Sequence, residues 1–93
     1  MKVTISEEGR PDWTVELSAS SKDLVRLGFN PSMLLDVDVI KTLTAALVTV
    51  MEPRPSRHSR LAITAFEEAA MWAVKDVTAA PPDSGTLHVN QGG

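Results

Sequence analysis

Hydrophobic and polar positions along this chain follow two different periods. Residues 59–77, SRLAITAFEEAAMWAVKDV, read at 100° per residue, place Ala62, Ile63, Phe66, Ala69, Ala70, Ala73, Val74 and Val77 on one arc, the buried stripe of an amphipathic helix. Arg60, Thr64, Glu67, Glu68, Met71 and Lys75 form a second, largely polar arc. Leu61, Ala65 and Trp72 lie between the two and widen the apolar surface beyond what a two-helix monomer needs. A preceding helix is predicted over 37–51, started by Asp36 or Asp38 and stopped by Pro53. Its apolar arc is Val39, Ile40, Leu43, Ala46, Leu47, Val50 and Met51, with Asp38, Lys41, Thr42, Ala45 and Thr49 facing away. The short connection 52–58 makes the two helices antiparallel neighbours, the second starting between Ser56 and Ser59. Nearer the start, residues 2–7 and 13–18 alternate with period two around a loop at 8–12, which reads as a β-hairpin or arm. Such a hairpin is marginal alone and must lie on the helices or pair across a subunit boundary. Ser18 to Ser21 cap a short helix over 22–27 that ends at Gly28, and Pro31 holds Asn30 out of the helical region.

Composition narrows what this arrangement can be. A chain of 93 residues holds one domain and gains from oligomerisation, because a small core leaves much surface uncovered. It has no cysteine to supply a disulfide or a thiolate metal site. Its apolar runs are too short to span a membrane, and its first residues carry acids where a secretory leader would be apolar, so a cytosolic setting is expected. Nine basic against twelve acidic residues argue against a broad surface for long nucleic acid. Positive charge is nonetheless concentrated at Arg54, Arg57 and Arg60, around His58. From Pro81 onward no period is sustained, and 81–93 reads as a flexible tail with a short strand around 87–89.

No catalytic constellation emerges. Glu67 and Glu68 are adjacent and point to different positions, His58 and His88 lack ligand spacing, and neither a nucleophile motif nor a glycine-rich phosphate loop is present. No cofactor is expected. Ligand capture is the better chemical reading. Arg57 and Arg60 near a helix N-terminus offer planar donor forks to a phosphate, against the plain alternative of solvated surface charge. Lys75 is a second cationic contact, or else covers apolar surface with its stem. Trp72 suits an intersubunit contact first and base stacking second. Lys41 and Thr44 sit within reach of a ligand held at a subunit boundary.

The second helix also resembles a known signature. Arg60, Leu61, Ala62, Ile63, Thr64, Glu67, Glu68, Ala69, Met71, Trp72, Ala73 and Lys75 are similar to the helical-hairpin domain shared by two phage anti-defence sponge proteins. One of those counters cyclic-oligonucleotide antiphage signalling (anti-CBASS) and the other counters Thoeris signalling. Asn30-Pro31-Ser32 and Val39-Ile40-Lys41 with Leu43, Ala46 and Leu47 resemble the family's first helix, so the likeness spans about 29–79. The resemblance implies capture, without cleavage, of cyclic di- or trinucleotides or cyclic ADP-ribose isomers in the host cytoplasm. It also implies a homo-oligomer, commonly a hexamer, with the messenger enclosed at subunit boundaries. Lys41 matches a first-helix lysine that contacts ligand in the family, while Arg60, Thr64, Trp72 and Lys75 match the hairpin signature. The segment before Phe29 lacks one branch's base-stacking residues, for which Trp13 or Phe29 would substitute, and the strand pair looks more like the Thoeris-directed branch.

The expectation is therefore a small α+β domain: an antiparallel two-helix hairpin with an N-terminal β-hairpin or arm, assembled as a homo-oligomer. Its divisions are 1–28, 29–80 and 81–93. The rivals are a ligand-free structural phage or prophage oligomer and a small nucleic-acid-binding module.

Overall fold

A computed structural model describes residues 1–79. The tail expected at 81–93, the strand expected around 87–89 and His88 lie outside the described residues. The chain is a small α+β fold in the order β1 (Lys2–Ile5), β2 (Trp13–Glu16), α1 (Ala19–Leu24), α2 (Leu35–Met51) and α3 (Arg57–Ala79).

β1 and β2 pair antiparallel, with Val3 opposite Val15 and Ile5 opposite Trp13. Gly9, at φ 81°, supplies the left-handed residue of the connecting loop, where a side chain would be strained. The alternation works as read for Val3, Val15 and Leu17, which turn inward, whereas Ile5 and Trp13 at the loop end of the same face stay exposed. Both strands lie on α2, so the hairpin finds its support within the chain. At its open end the amino terminus donates to Glu16 Oε2 at 2.8 Å, and that hydrogen bond holds the Glu16 carboxyl below the usual carboxylate range.

α1 begins three residues earlier than its sequence suggests. Ser18 is its N-cap, with the side-chain oxygen accepting the Ser21 amide at 3.1 Å, and the chain leaves the helix after Leu24. The same segment is tied to the far end of α2. Ser18 and Ser20 donate to the two oxygens of Glu52 at 2.6 and 2.5 Å, and the Ser21 hydroxyl meets Thr49 Oγ1 at 2.8 Å. Arg26 then turns the backbone through the left-handed region at φ 53°, uncommon for a residue with a side chain.

α2 starts at Leu35, and neither acid caps it. Asp36 and Asp38 sit in its first turn, where negative charge favours the helix dipole. Asn30 organises the entry instead: its Nδ2 donates to the Leu34 carbonyl and to Asp38 Oδ1, both at 3.0 Å, and its Oδ1 accepts the Met33 amide at 3.1 Å. The faces of α2 differ from those the periodicity predicts. Lys41, Thr44, Ala45 and Val48 are buried, while Leu43, Leu47 and Val50 of the supposed inner arc are about half exposed. The reason is that α2 has two partners. α3 covers one side, and the β-hairpin with α1 covers another, so that Ala45 and Ala46 pack with Leu17 and Val25 in the densest cluster of the fold. Ala45 and Thr49, read as outward, face this layer. An amphipathic pattern drawn for a single buried face misses it.

α3 is close to its sequence reading. Ser56 accepts the Ser59 amide at 3.1 Å, and the buried Ser59 hydroxyl donates back to the Met51 carbonyl at 2.8 Å, which fixes the α2–α3 turn. Ile63, Phe66, Ala70, Ala73, Val74 and Val77 are buried or half-buried, although Ala69 is exposed. Leu61, Met71 and Trp72 remain on the surface.

Candidate functional site

Where the turn after α1 crosses the open side of the helical hairpin, a groove of about 470 Å³ is left between them. Leu24, Val25, Arg26 and Phe29 form one wall, Glu67, Ala70, Met71, Val74 and Lys75 of α3 form the other, and Lys41 of α2 joins them. Most of this surface is apolar, with charged groups set into it: three cations and one carboxylate. That balance is the reverse of the whole chain, which carries a formal charge of −3. A concave, largely apolar site with a few convergent charges is the usual form of a small-molecule site.

Lys41 is the organising residue. Its side chain is only 8% exposed, and the ammonium donates to two main-chain carbonyls, Arg26 O at 3.0 Å and Phe29 O. It also lies 5.4 Å from the centroid of the Phe29 ring. A buried lysine needs such partners, and here they are carbonyls of the irregular turn after α1, of which Arg26 O also accepts the Phe29 amide at 2.9 Å. The bonds pin residues 26–29 against α2 and present Phe29 at the groove wall. Lys75 sits on the opposite wall, exposed, its ammonium 5.3 Å from the Trp72 ring. Among the described residues neither Arg26, Glu67 nor Lys75 takes part in an ion pair. Their charges are available to a ligand.

The seven residues singled out in the sequence do not converge in one chain. Lys41 and Lys75 meet at the groove. Thr44 lies one turn from Lys41, but is buried with its hydroxyl donating to the Ile40 carbonyl at 2.6 Å. Trp72 stands beside Lys75 and is 60% exposed. Arg57, Arg60 and Thr64 occupy the exposed opposite end of α3, with Thr64 Oγ1 donating to the Arg60 carbonyl at 3.1 Å. Fifteen residues of helix separate Arg60 from Lys75, about 22 Å. The groove's Arg26 was not marked by the sequence reading, because a lone arginine in a short loop carries no periodic or motif signal. Only its backbone conformation and the Lys41 bond give it a place.

The fold and groove define a helical hairpin carrying a small cationic pocket, with no cluster of metal-ligating side chains among the described residues. No helix among those residues is long and apolar enough to cross a membrane. Residues 22–78, well over half the chain, match the model of the Acb2/Tad1 hairpin domain, and the protein belongs to that family. The match begins earlier than the likeness seen in the sequence and takes in Arg26. No curated protein and no solved structure matches the chain. The family comprises anti-defence sponges directed at CBASS and Thoeris signalling, and the function follows: sequestration of cyclic-nucleotide immune messengers without catalysis.

Proposed function

We propose that this groove is the messenger site, that it holds a cyclic dinucleotide, cyclic trinucleotide or cyclic ADP-ribose isomer, and that a second copy of the chain completes it. The observation that carries this reading is the cationic groove on an acidic protein. Arg26, Lys41 and Lys75 converge from three different elements, and Arg26 and Lys75 have no carboxylate partner among the described residues. Phosphates are the anions such a set suits: Arg26 supplies a planar fork and Lys75 a mobile point charge. Lys41 contributes its charge while shaping the wall. Phe29 and Met71 offer apolar faces for a base.

In this proposal the protein works as a homo-oligomer, a hexamer as the family resemblance implies, within the host cytoplasm where the messengers signal. Arg57, Arg60 and Thr64 are too far from Lys75 to share a small ligand within one chain. They reach it only if a neighbouring copy brings its α3 N-terminus to the groove. Enclosure between copies slows dissociation, and slow release is what distinguishes a sponge from a weak competitor of the host effector.

Native mass spectrometry of the protein, alone and with a panel of cyclic di- and trinucleotides and cyclic ADP-ribose isomers, tests this directly. The expected result is a closed oligomer that gains discrete messenger masses and releases them chemically unchanged on denaturation. An oligomer with no additions across the panel would put the ligand-free structural reading first. Preference for polymeric nucleic acid, with a steep salt dependence, would favour the nucleic-acid module.

A further inference from the structure

Glu67 is out of place in a site built for an anion. It is half-buried, it lines the groove with three cations, and it makes no ion pair or side-chain hydrogen bond among the described residues. A carboxylate there opposes the binding of a phosphate unless the ligand brings a donor to meet it. Glu67, Met71 and Lys75 also recur at successive turns of α3, so acceptor, apolar group and cation follow one another along the groove wall. Eight residues of helix separate the two charged positions by about 12 Å, comparable to the span from a nucleotide's phosphate to the far edge of its purine.

We infer that Glu67 is the base-reading residue of this groove and that it selects guanine-bearing over adenine-bearing messengers. The inference rests on the groove being the messenger site. With a phosphate at Lys75 and the base lying along Met71, opposite Phe29, the base's outer edge arrives at Glu67. An ionised carboxylate only accepts hydrogen bonds, through two oxygens that form a fork. Guanine presents two adjacent donors on its Watson–Crick edge, N1–H and the N2 amino group, which match that fork. Adenine presents the N6 amino group beside an N1 lone pair, so one carboxylate oxygen faces an acceptor and is left unsatisfied. A site that is built around hydrogen bonds rejects the base that lacks them far more strongly than an apolar pocket can.

The substitution Glu67→Gln gives the test a sign. The amide keeps the shape, removes the charge and offers one acceptor and one donor, the pattern that complements adenine. Titration calorimetry of the full chain with cyclic di-GMP and cyclic di-AMP compares two ligands of one backbone. The wild type is expected to bind cyclic di-GMP about tenfold or more tighter, and Glu67→Gln is expected to abolish or reverse that ratio. Glu68→Gln makes the same charge change at the neighbouring position, outside the groove lining, and is expected to preserve the ratio. Equal binding of the two ligands by the wild type overturns the inference, as does an adenine preference. An equal shift of both affinities in Glu67→Gln would reduce Glu67 to a general electrostatic influence and also overturn it. A wild type that takes only cyclic ADP-ribose isomers would keep the sponge and refute guanine selection. Failure to bind any messenger would instead overturn the proposed function on which the inference depends.

Discussion

Lys41 shows how a residue marked for ligand contact can act mainly through the chain's own backbone. Its ammonium is committed to the carbonyls of Arg26 and Phe29, and its stem is buried. Replacing it with methionine preserves the length and apolar volume but leaves the Phe29 carbonyl unmet, while the Arg26 carbonyl keeps the Phe29 amide at 2.9 Å. An unmet acceptor costs about 1–3 kcal/mol where water cannot replace the donor. Because water can reach part of this turn, Lys41→Met is expected to lower stability by about 2 kcal/mol, as read by urea unfolding. It is also expected to weaken messenger binding, through displacement of Arg26 and Phe29 as well as loss of charge. Unchanged stability together with lost binding would make Lys41 a direct ligand contact and little else. Helical spacing put Lys41 on an outward arc, and nothing in that spacing reveals a loop folding back over it. The same limit hid Arg26, whose role depends on a backbone conformation no propensity predicts.

At the scale of elements, α3 was the most legible, and α2 was legible in extent but not in orientation. α3 has one principal apolar stripe, a serine at each side of its first turn and a proline-containing connection before it, so that local and tertiary signals agree. Its start rests on Ser56. Ser56→Ala removes the acceptor for the Ser59 amide and is expected to lower stability by about 1 kcal/mol, measurable as a shift in the urea midpoint with an unchanged slope. No effect would show that the Ser59 hydroxyl bond to Met51 alone fixes the turn. α2 carries apolar residues on three sides because it is packed on two and leaves the third uncovered. A sequence pattern records that such residues are apolar, not which of several partners takes each face. The β-hairpin was readable from its alternation, yet its seat on α2 was one of two arrangements the sequence left open. The groove lies at the junction of the elements whose mutual placement was least legible, and this is why only Lys41 and Lys75 of its charged residues were anticipated as contacts.

At the scale of the molecule, the two long helices carry, outside the groove, two stripes of uncovered apolar side chains, and their positions bear on the form of the proposed assembly. On α2, Leu43, Leu47 and Val50 lie roughly a third of a turn from the buried Thr44 and Val48. On α3, Leu61 and Trp72 lie nearly opposite Ser59 and Ala70, which are the buried positions of that helix. A symmetric dimer formed through one self-complementary patch would cover one stripe and leave the other in water. Two separate stripes call for two kinds of contact, which a closed assembly larger than a dimer provides. In the proposed oligomer each stripe seals a different interface, and single substitutions are expected to divide the assembly and not dissolve it. Trp72→Ala is expected to yield a smaller, defined species by native mass spectrometry, and Leu47→Glu a different one. The double variant is expected to be monomeric, with helical content preserved by circular dichroism because neither side chain is part of the monomer's core. If Trp72→Ala leaves the mass unchanged while messenger binding is lost, Trp72 stacks on the ligand at a boundary formed by other residues. If either single variant falls directly to monomer, both stripes belong to one continuous interface and the two-contact arrangement is wrong.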